Sequence, residues 1–267
     1  MPYKIEQTPQ IEQLYTIFLE EFASDYKFHG EAHNFWELVC VLDGTASVAA
    51  DDKVFTLTKG QAILHPPMQF HNFSSLDGKA LTIAVFTFSG KNIPNAYNKV
   101  CQIEDISTVK DLYKIAKKTF NFNLNLWVKS AKEENYSKFE FIKRLELFLI
   151  KLSGNTLRDT PITQGALNYS AIVKTLQENI TKKLSVKDIA KLCNMSEINL
   201  QKTFSRYAGV GIMEYFTRLR MQYATELLKG GKTVKETSLL LDFTDQNYFS
   251  TVYKRVTGHT PTQIKKS

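Results

Sequence analysis

The chain has 267 residues, of which 43% are hydrophobic and 23% are charged, an ordinary composition for a soluble globular protein with room for two cores. The amino terminus lacks a basic start followed by an apolar run, and no stretch of roughly 18 apolar residues occurs, so we expect neither a signal peptide nor a membrane span. Cys40, Cys101 and Cys193 are odd in number and far apart, which argues against a disulfide or zinc framework and favours a reducing cytoplasm.

The net charge of +7 is unevenly distributed along the chain. From Leu167 to the end there are 16 Lys and Arg against 8 Asp and Glu, a net charge of +8. The preceding residues hold 18 basic and 19 acidic side chains, a net charge of −1. This asymmetry indicates a polyanionic partner for the carboxyl-terminal part of the chain.

The amino-terminal part has the pattern of a β protein. Residues 1–28 carry apolar positions that fit either a helical stripe or a leading strand. From Glu31 to Ser89, short apolar runs alternate with turn signals such as Asp43-Gly44, which predicts a sandwich or small barrel. The predicted strands cover 35–42, 46–50, 54–57, 62–64 and 81–88.

Three polar positions of this β region could form a site. His33 and Glu37 alternate onto one strand face with Phe35 between them, and His71 could face them across the barrel. Two imidazoles and a carboxylate could ligate a divalent metal. The open alternatives are a pocket for an organic ligand and a hydrogen-bonded part of the core, and we expect His29 and His65 to be structural or exposed.

The pattern becomes helical from about Ile103 to Ser153. Two helical stripes are separated by the segments 121–125 and 129–135, which we expect to be loop with a helix start. The segment 154–166, with little apolar content, is the predicted linker between a domain at 1–153 and a domain at 167–267. The stripes are Val109, Leu112, Ile115, Ala116 and Thr119, and Phe139, Ile142, Leu145 or Glu146, Leu149 and Leu152.

The carboxyl-terminal domain contains two copies of one sequence repeat. Equivalent residues lie 48 positions apart before a turn and 49 apart after it, as Val186 and Val234, then Gly209 and Gly258, illustrate. A constant offset with one insertion indicates an internal duplication. Each copy predicts a helix, a turn at Asn194 or Asp242, and a second helix.

Local signals define the ends of these helices. Ser185 with Asp188 and Thr233 with Glu236 fit capping boxes. Ser196 and Asp245 are predicted to cap the second helices, and Gly209 and Gly258 to end them. A helix from Ile212 to Lys229 joins the copies, with a predicted apolar stripe of Ile212, Phe216, Leu219, Tyr223 and Leu227.

This carboxyl-terminal region resembles the AraC/XylS family of transcription regulators over about 95 residues. Gly usually precedes the positions of Met195 and Phe243 in that family, whereas Asn194 and Asp242 do so here. Asn and Asp tolerate the left-handed conformation that the turn needs. The matching residues include Ile189-Ala190, Leu200, Phe204, Arg218, Leu219, Arg220, Asp245-Gln246-Asn247-Tyr248-Phe249, Lys254-Arg255 and Pro261.

The β region resembles the cupin-type sensor domain that often precedes such DNA-binding domains. The resemblance places His33, Glu37 and His71 at three metal-ligand positions of metal-binding cupins, and Glu31 where the family has another His. It also implies that the helix pair after the barrel carries dimer contacts, although the helices could instead cover the barrel or each other.

The second helix of each pair is expected to lie in a major groove of DNA. The resemblance implies base contacts at Ile198, Gln201 and Lys202. Gln and Asn suit adenine, Lys suits guanine, and Ile and Thr suit a thymine methyl group. The predicted contacts of the second copy are Gln246, Asn247 and Thr251, and the predicted phosphate contacts are Arg206, Lys254 and Arg255.

The sequence thus predicts a two-domain fold, an all-β cupin-like barrel with following helices and an all-α domain with two helix-turn-helix units joined by a long helix. The predicted function is that of a cytoplasmic, homodimeric transcription regulator that binds double-stranded promoter DNA and RNA polymerase, with activation and repression both open. A small-molecule effector or partner is expected at His33, Phe35, Glu37 and His71, and no catalytic residue or resident cofactor is assigned. The alternatives are a metal-dependent cupin enzyme and a ligand-independent regulator whose barrel only dimerises.

Overall fold

The computed structural model describes residues 7–124, 126–132, 136–157 and 163–265. The chain divides into two compact units, residues 1–162 and 163–267. No helix within the described residues is both long and apolar enough to cross a membrane.

The first unit consists of antiparallel strands followed by two helices. A five-stranded sheet has the order β1-β7-β2-β5-β8, a three-stranded sheet has the order β4-β3-β6, and β9 pairs with β10. The bounds are β1 Gln10–Phe22, β2 Trp36–Asp43, β3 Thr45–Ala50, β4 Lys53–Thr58, β5 Gln61–His65, β6 His71–Ser75, β7 Leu81–Lys91, β8 Val100–Gln102, α1 Ile106–Thr119, β9 Phe120–Phe122, β10 Val128–Ala131 and α2 Ser137–Gly154.

Strand β2 shows how this unit is layered. Its even-numbered residues, such as Leu38 and Cys40, belong to a core shared with α1 and α2. Its odd-numbered residues Val39 and Val41 belong to a second core between the two sheets. Because side chains alternate along a strand, Glu37 lies on the same side as Val39 and Val41. The strand is buried on both faces, so a carboxylate here must find polar partners inside the barrel.

The predicted barrel with two following helices is confirmed, with corrections to its details. The pattern at 1–28 belongs to a strand, β1, and the sequence reading missed β6 and β8. Strand β6 begins with two buried polar residues, His71 and Asn72, and Phe73 is the one hydrophobic residue among its five, so the strand gives no hydrophobic alternation. The loop expected within 121–125 and 129–135 contains β9 and β10, while residues 125 and 133–135 lie outside the described part.

The buried face of α2 differs from the predicted stripe at one end. Phe139 is 61% exposed, whereas Phe141 and Phe148 are buried. Glu146 is buried and accepts a hydrogen bond from the backbone N–H of Ile11 at 2.8 Å. The aromatic residues Phe139 and Phe141 are two positions apart, so the helical period could not decide which of them points inward.

The second unit is all α within the described residues, and the duplication is confirmed. Helix α7 repeats α4 at an offset of 48, and α8 repeats α5 at an offset of 49. The bounds are α3 Gln164–Glu178, α4 Val186–Leu192, α5 Glu197–Ala208, α6 Ile212–Lys229, α7 Val234–Leu240, α8 Gln246–Thr257 and α9 Pro261–Lys265.

The predicted end signals of these helices are present. Both capping boxes form, at Ser185 with Asp188 and at Thr233 with Glu236. Ser196 and Asp245 accept hydrogen bonds from backbone N–H groups of α5 and α8. The turn residues Asn194 and Asp242 both have φ of 53°, and Gly209 and Gly258 end α5 and α8 with φ of 70° and 77°.

Helix α6 has the predicted bounds but a different buried face. Leu219, Tyr223 and Leu227 are only half-buried, because each half of α6 packs against a different helix-turn-helix unit. Tyr215 meets Phe204 of the first unit with ring centroids 5.2 Å apart. The buried residues are Ile212, Tyr215, Phe216, Met221, Ala224 and Leu228, and the last three share a core with Phe249 and Tyr253 of the second unit.

The boundary between the units falls between Ile162 and Thr163, within the 154–166 segment predicted as linker. The ends of that segment belong to ordered elements. Gly154 is the last residue of α2, Thr156 bridges to Cys101 of β8, and α3 starts at Gln164. Residues 158–162 lie outside the described part of the chain.

Substitutions at the two turns separate conformational strain from hydrogen bonding. Asn194→Gly should change the free energy of unfolding by less than about 0.5 kcal/mol, whereas Asn194→Val should lower it by about 1–2 kcal/mol, since a β-branched residue resists positive φ. Asp242→Gly should cost about 1 kcal/mol, because Asp242 Oδ2 accepts from the backbone N–H of Lys183 at 3.3 Å. Urea unfolding of the three variants measures this, and equal stability of Asn194→Val and Asn194→Gly would contradict the strain argument.

Candidate DNA interface and barrel-end cluster

Helices α5 and α8 each bury one face and expose the opposite one. In α5, Leu200 and Phe204 are fully buried, and Ile198 on the outer face is 81% exposed. In α8, Phe249 and Tyr253 are buried. All nine predicted DNA-contact residues are exposed: Ile198, Gln201, Lys202, Arg206, Gln246, Asn247, Thr251, Lys254 and Arg255.

The offset of 49 relates the outer faces of the two helices. Asn247 occupies the position of Ile198, Thr251 that of Lys202, and Lys254 that of Ser205. Thr251 donates its hydroxyl hydrogen to the Asn247 carbonyl at 3.0 Å, which leaves its methyl group and hydroxyl lone pairs for an external partner. The exposed faces of α5 and α8 are therefore equivalent in position but differ in chemistry. The second residue of α5 is the apolar Ile198, whereas the second residue of α8 is the amide Asn247.

Arg220 of α6 connects the two helix-turn-helix units. Its Nε donates to the carbonyl oxygen of Ile180 at 3.2 Å, and its terminal nitrogen donates to the carbonyl oxygen of Leu241. The guanidinium lies 4.7 Å from the centroid of the Phe243 ring. Burial lowers the pKa of Arg220, an effect that nearby Asp242 opposes. One side chain thus holds the segment after α3 and the turn of the second unit together.

A second group of polar residues lies inside the first unit, and we call Glu31, His33, Glu37, His65, Gln69 and His71 the barrel-end cluster. Glu37 is only 7% exposed, and it stands beside His65 of β5 and Thr87 of β7. Its Oε2 lies 3.3 Å from Nε2 of His33, and its Oε1 lies 3.2 Å from Nε2 of His71. The structure therefore brings together three residues that the sequence placed in one site.

Backbone carbonyl groups orient both imidazoles. Nδ1 of His33 lies 3.0 Å from the carbonyl oxygen of Phe35, and Nδ1 of His71 lies 3.0 Å from that of Gln69. A carbonyl can only accept, so the network assigns the hydrogen to Nδ1 in each ring. Each Nε2 therefore faces the Glu37 carboxylate.

The charges in the cluster depend on one another. Burial disfavours ionisation of Glu37, but the charge of His71 and the hydrogen bonds from His33 and His71 outweigh it and hold the pKa of Glu37 well below its usual range. Burial likewise disfavours protonation of His71, but the charge of Glu37 raises its pKa. Burial and the charge of His71 lower the pKa of His65 to about 3. At neutral pH the cluster thus holds an ionised Glu37 and a neutral His65.

Glu31 and His65 also belong to the cluster, although neither was among the predicted ligand-binding residues. Glu31 pairs with His71 through two backbone hydrogen bonds of 2.9 and 3.0 Å, which brings its carboxylate to the cluster. His65 is 1% exposed and stacks on His71 with ring centroids 4.3 Å apart. Glu31 continues the alternation of His33, Phe35 and Glu37, a signal that could have placed it in the predicted site.

Aromatic rings lie beside the cluster. Phe35 stacks on His33 with centroids 3.8 Å apart and on Tyr15 with centroids 4.3 Å apart. Trp127 meets the edges of Tyr15 and Phe35. Phe35, predicted as a ligand contact, thus supports the His33 ring in this structure.

Comparisons with known proteins agree with both units. The family model described as "AraC-like ligand binding domain" matches residues 15–102, and the one described as "Helix-turn-helix domain" matches residues 189–267. The two matches cover the barrel and both helix-turn-helix units in the expected order. The chain belongs to the AraC family.

The chain is similar to several known proteins over different lengths. The Bacillus subtilis "Bifunctional transcriptional activator/DNA repair enzyme AdaA" is 26% identical over 96 residues, which are 36% of this chain and 46% of that protein. The "HTH-type transcriptional activator RhaS" of Enterobacter sp. is 21% identical over 245 residues, 88% of this chain and 86% of that protein. This AraC-family chain spans less than half the length of the first of these relatives. The solved structure of ToxT from Vibrio cholerae is 17% identical and covers 95% of this chain and 98% of its own, with a TM-score of 0.37.

Removal of the Arg220 side chain tests its role as a brace. Arg220→Met should lower the free energy of unfolding by about 2–4 kcal/mol, because two partly buried carbonyl groups lose a charged donor. The control Arg218→Met, on the same helix, removes an exposed ion pair with Glu214 and should cost less than about 1 kcal/mol. Urea denaturation compares them, and an equal loss in the two variants would refute the brace.

Proposed function

We propose that this AraC-family protein binds double-stranded promoter DNA in a sequence-specific manner and regulates transcription in response to a ligand of its amino-terminal unit. The observation that carries the proposal is the duplicated helix-turn-helix on one shared helix, with an exposed polar face on both α5 and α8. A helix of this kind is the element that enters a major groove.

The length of α6 supports the use of both units at once. Its 18 residues span about 27 Å at about 1.5 Å per residue. Successive major-groove faces on one side of DNA lie about 34 Å apart. Since α6 packs on both units and Arg220 fixes their contact, α5 and α8 are suited to adjacent grooves without rearrangement within the unit.

The exposed side chains of α5 and α8 differ, which supports recognition of different bases by the two helices. Ile198, Gln201 and Lys202 would read a thymine methyl, an adenine and a guanine, whereas Gln246, Asn247 and Thr251 would favour adenine and thymine. Arg206, Lys254 and Arg255 would hold phosphates. The net charge of +8 from Leu167 onward favours attraction to DNA of any sequence.

The amino-terminal unit supplies the regulatory part of the proposal. The match to a ligand-binding domain supports control by a small molecule or ion at the barrel. Exposed apolar residues along α2, namely Phe139, Leu147 and Ile150, support assembly as a homodimer. A ligand would then change how the DNA-binding units of the dimer engage a promoter and RNA polymerase, with activation favoured by the name of RhaS.

Catalysis is not part of the proposed function. The AdaA name includes a repair enzyme, but the match spans 46% of that protein. The barrel-end cluster of this chain would therefore bind a ligand without converting it. A metal-dependent reaction that a variant unable to bind DNA still catalyses would favour the enzyme alternative instead.

Selection from a random pool of duplex DNA tests the reading helices. The full chain should enrich a sequence with two conserved segments about 10 base pairs apart. Gln201→Ala should relax the preference in one segment and Gln246→Ala in the other, each with a loss of about 1–3 kcal/mol in specific binding. Unchanged preferences in both variants would show that α5 and α8 do not read bases.

The salt dependence of binding tests the phosphate contacts. Lys254→Ala should weaken binding to all sequences alike and reduce the slope of log K against log salt by about 1. The control Lys174→Ala makes the same charge change at an exposed position of α3, which packs on α4 and α5. Titrations at several salt concentrations measure both, and equal slopes for the two variants would contradict the assignment of Lys254.

A further inference from the structure

A cleft of about 380 Å³ opens on the first unit between α1 and α2. Its lining comes from both helices, from β8 and from the residues that join β8 to α1, and it includes no member of the barrel-end cluster. Pockets that hold small molecules typically measure about 300–1,000 Å³. The cleft is therefore large enough for a small metabolite, and it is a candidate site separate from the interior of the barrel.

The floor of the cleft is apolar and preformed. Ile103, Leu112, Phe148 and Leu152 line it, are buried, and belong to the core that the five-stranded sheet shares with α1 and α2. Ile115, half-buried on α1, extends this apolar surface. Because core side chains are closely packed, the floor keeps its shape without a ligand, and an apolar group would find a fixed surface for van der Waals contact there.

The two walls of the cleft carry opposite charges. On the side of α2, Arg144 and Lys151 provide cations. On the side of α1, Asp111 and, just before the helix, Glu104 and Asp105 provide carboxylates. An occupant with both a negative and a positive group would thus meet an opposite charge on each wall.

The ion pairs of these walls stay within each helix. Asp111 pairs with Lys114 of α1 at 3.3 Å, and Arg144 pairs with Glu140 of α2 at 2.8 Å. Within the described part of the chain, no ion pair joins α1 to α2, and Lys151 has no ion-pair partner. Opposite charges that line one cleft without meeting across it leave room for a ligand that bridges them.

The occupant that fits this cleft has three parts. A carboxylate would accept charge-assisted hydrogen bonds from Lys151, an ammonium would donate to the carboxylates of Asp111 or Glu104, and an apolar side chain would cover the floor. A free apolar α-amino acid, such as leucine or phenylalanine, joins these parts in one molecule. A fatty acid would leave the acidic wall without a partner, and a sugar would leave the apolar floor uncovered.

The cleft also touches the exit segment, residues 155–157, which follows α2 on the way to the second unit. Asn155 lines the cleft, its side chain donates to Oε1 of Glu104 at 3.0 Å, and its carbonyl accepts from the N–H of Gln102 at 2.9 Å. The Leu157 N–H donates to a carbonyl of β8 at 2.8 Å. A ligand that contacts Glu104 and Asn155 would strengthen the attachment of the exit segment to β8.

We infer that the cleft between α1 and α2 is a binding site for a free apolar α-amino acid, and that this amino acid is an effector that acts on DNA binding through the exit segment. The second half of this inference rests on the function proposed above, whereas the first half stands independently of it.

Titration calorimetry on the full chain tests the site, with L-leucine and L-phenylalanine as probes. A dissociation constant of about 1 mM or below is expected, which is a normal strength for a ligand of about ten non-hydrogen atoms. Two matched controls each lack one charge of leucine: 3-methylbutylamine has no carboxylate, and 4-methylpentanoate has no ammonium. Each control should bind at least about tenfold more weakly than L-leucine. Equal binding of L-leucine and both controls, or no binding of either amino acid at about 10 mM, would overturn the site.

Variants of the two walls locate the bound amino acid. Lys151 and Asp111 are exposed, so Lys151→Gln and Asp111→Asn should fold normally, and each should weaken L-leucine binding about five- to tenfold. The control Lys118→Gln removes a charge at an exposed position of α1 outside the cleft and should bind as the unchanged protein does. Equal affinity in the three variants would overturn the site. If Lys151→Gln and Asp111→Asn then alter the association state in sedimentation, the occupant of the cleft is a second copy of the chain.

DNA binding with and without L-leucine tests the effector half. A change of at least about fivefold in affinity for the selected DNA is expected if coupling between sites is of the usual size. At a concentration near the dissociation constant of L-leucine, this change should be smaller in Lys151→Gln than in Lys118→Gln. Equal DNA affinity with and without bound L-leucine would overturn the effector half. Failure of both forms to prefer any DNA sequence would instead refute the proposed function and leave the calorimetry to decide the site.

Discussion

The hydrogen bonds of Arg220 are the constraint on which the carboxyl-terminal unit depends. A helix-turn-helix unit of two short helices buries too little surface to fix its own orientation, and each copy here relies on one half of α6. Arg220 stands at the middle of that helix and bonds a carbonyl at the end of α3 and another at the turn of the second copy. Helices α5 and α8 are therefore held on one shared helix, which is the arrangement that the proposed contact with two grooves requires.

In the amino-terminal unit the constraint is the buried carboxylate of Glu37, which needs polar partners inside the barrel. Strand β2 is covered by helices on one side and by the second sheet on the other, so Glu37 has no route to solvent along its own strand. Its carboxylate oxygens lie 3.2 and 3.3 Å from Nε2 of His71 and of His33, and the Nδ1 atoms of both rings face backbone carbonyls. The orientation of both imidazoles is thus set by the backbone of the barrel.

The helices of the carboxyl-terminal unit could be predicted from local sequence signals, because these signals do not depend on packing partners. Capping boxes at Ser185 and Thr233, left-handed turns at Asn194 and Asp242, and the shift in offset from 48 to 49 determined four helices before any packing was known. The sequence failed where burial depends on a neighbour. The inward side of α6 changes between its two partners, and β6 begins with two buried polar residues, His71 and Asn72. The backbone pairing of Glu31 with His71 joins two segments that lie 40 residues apart in the sequence.

The central claim is that one chain presents two reading helices at a fixed spacing. Hydroxyl-radical footprinting of the full protein on its selected DNA tests this most directly, because it reports backbone protection without assuming a sequence. The account predicts that each chain protects two patches on the same side of the duplex about 10 base pairs apart, one facing α5 and one facing α8. A single protected patch per chain, or two patches whose spacing varies between sites, would contradict it.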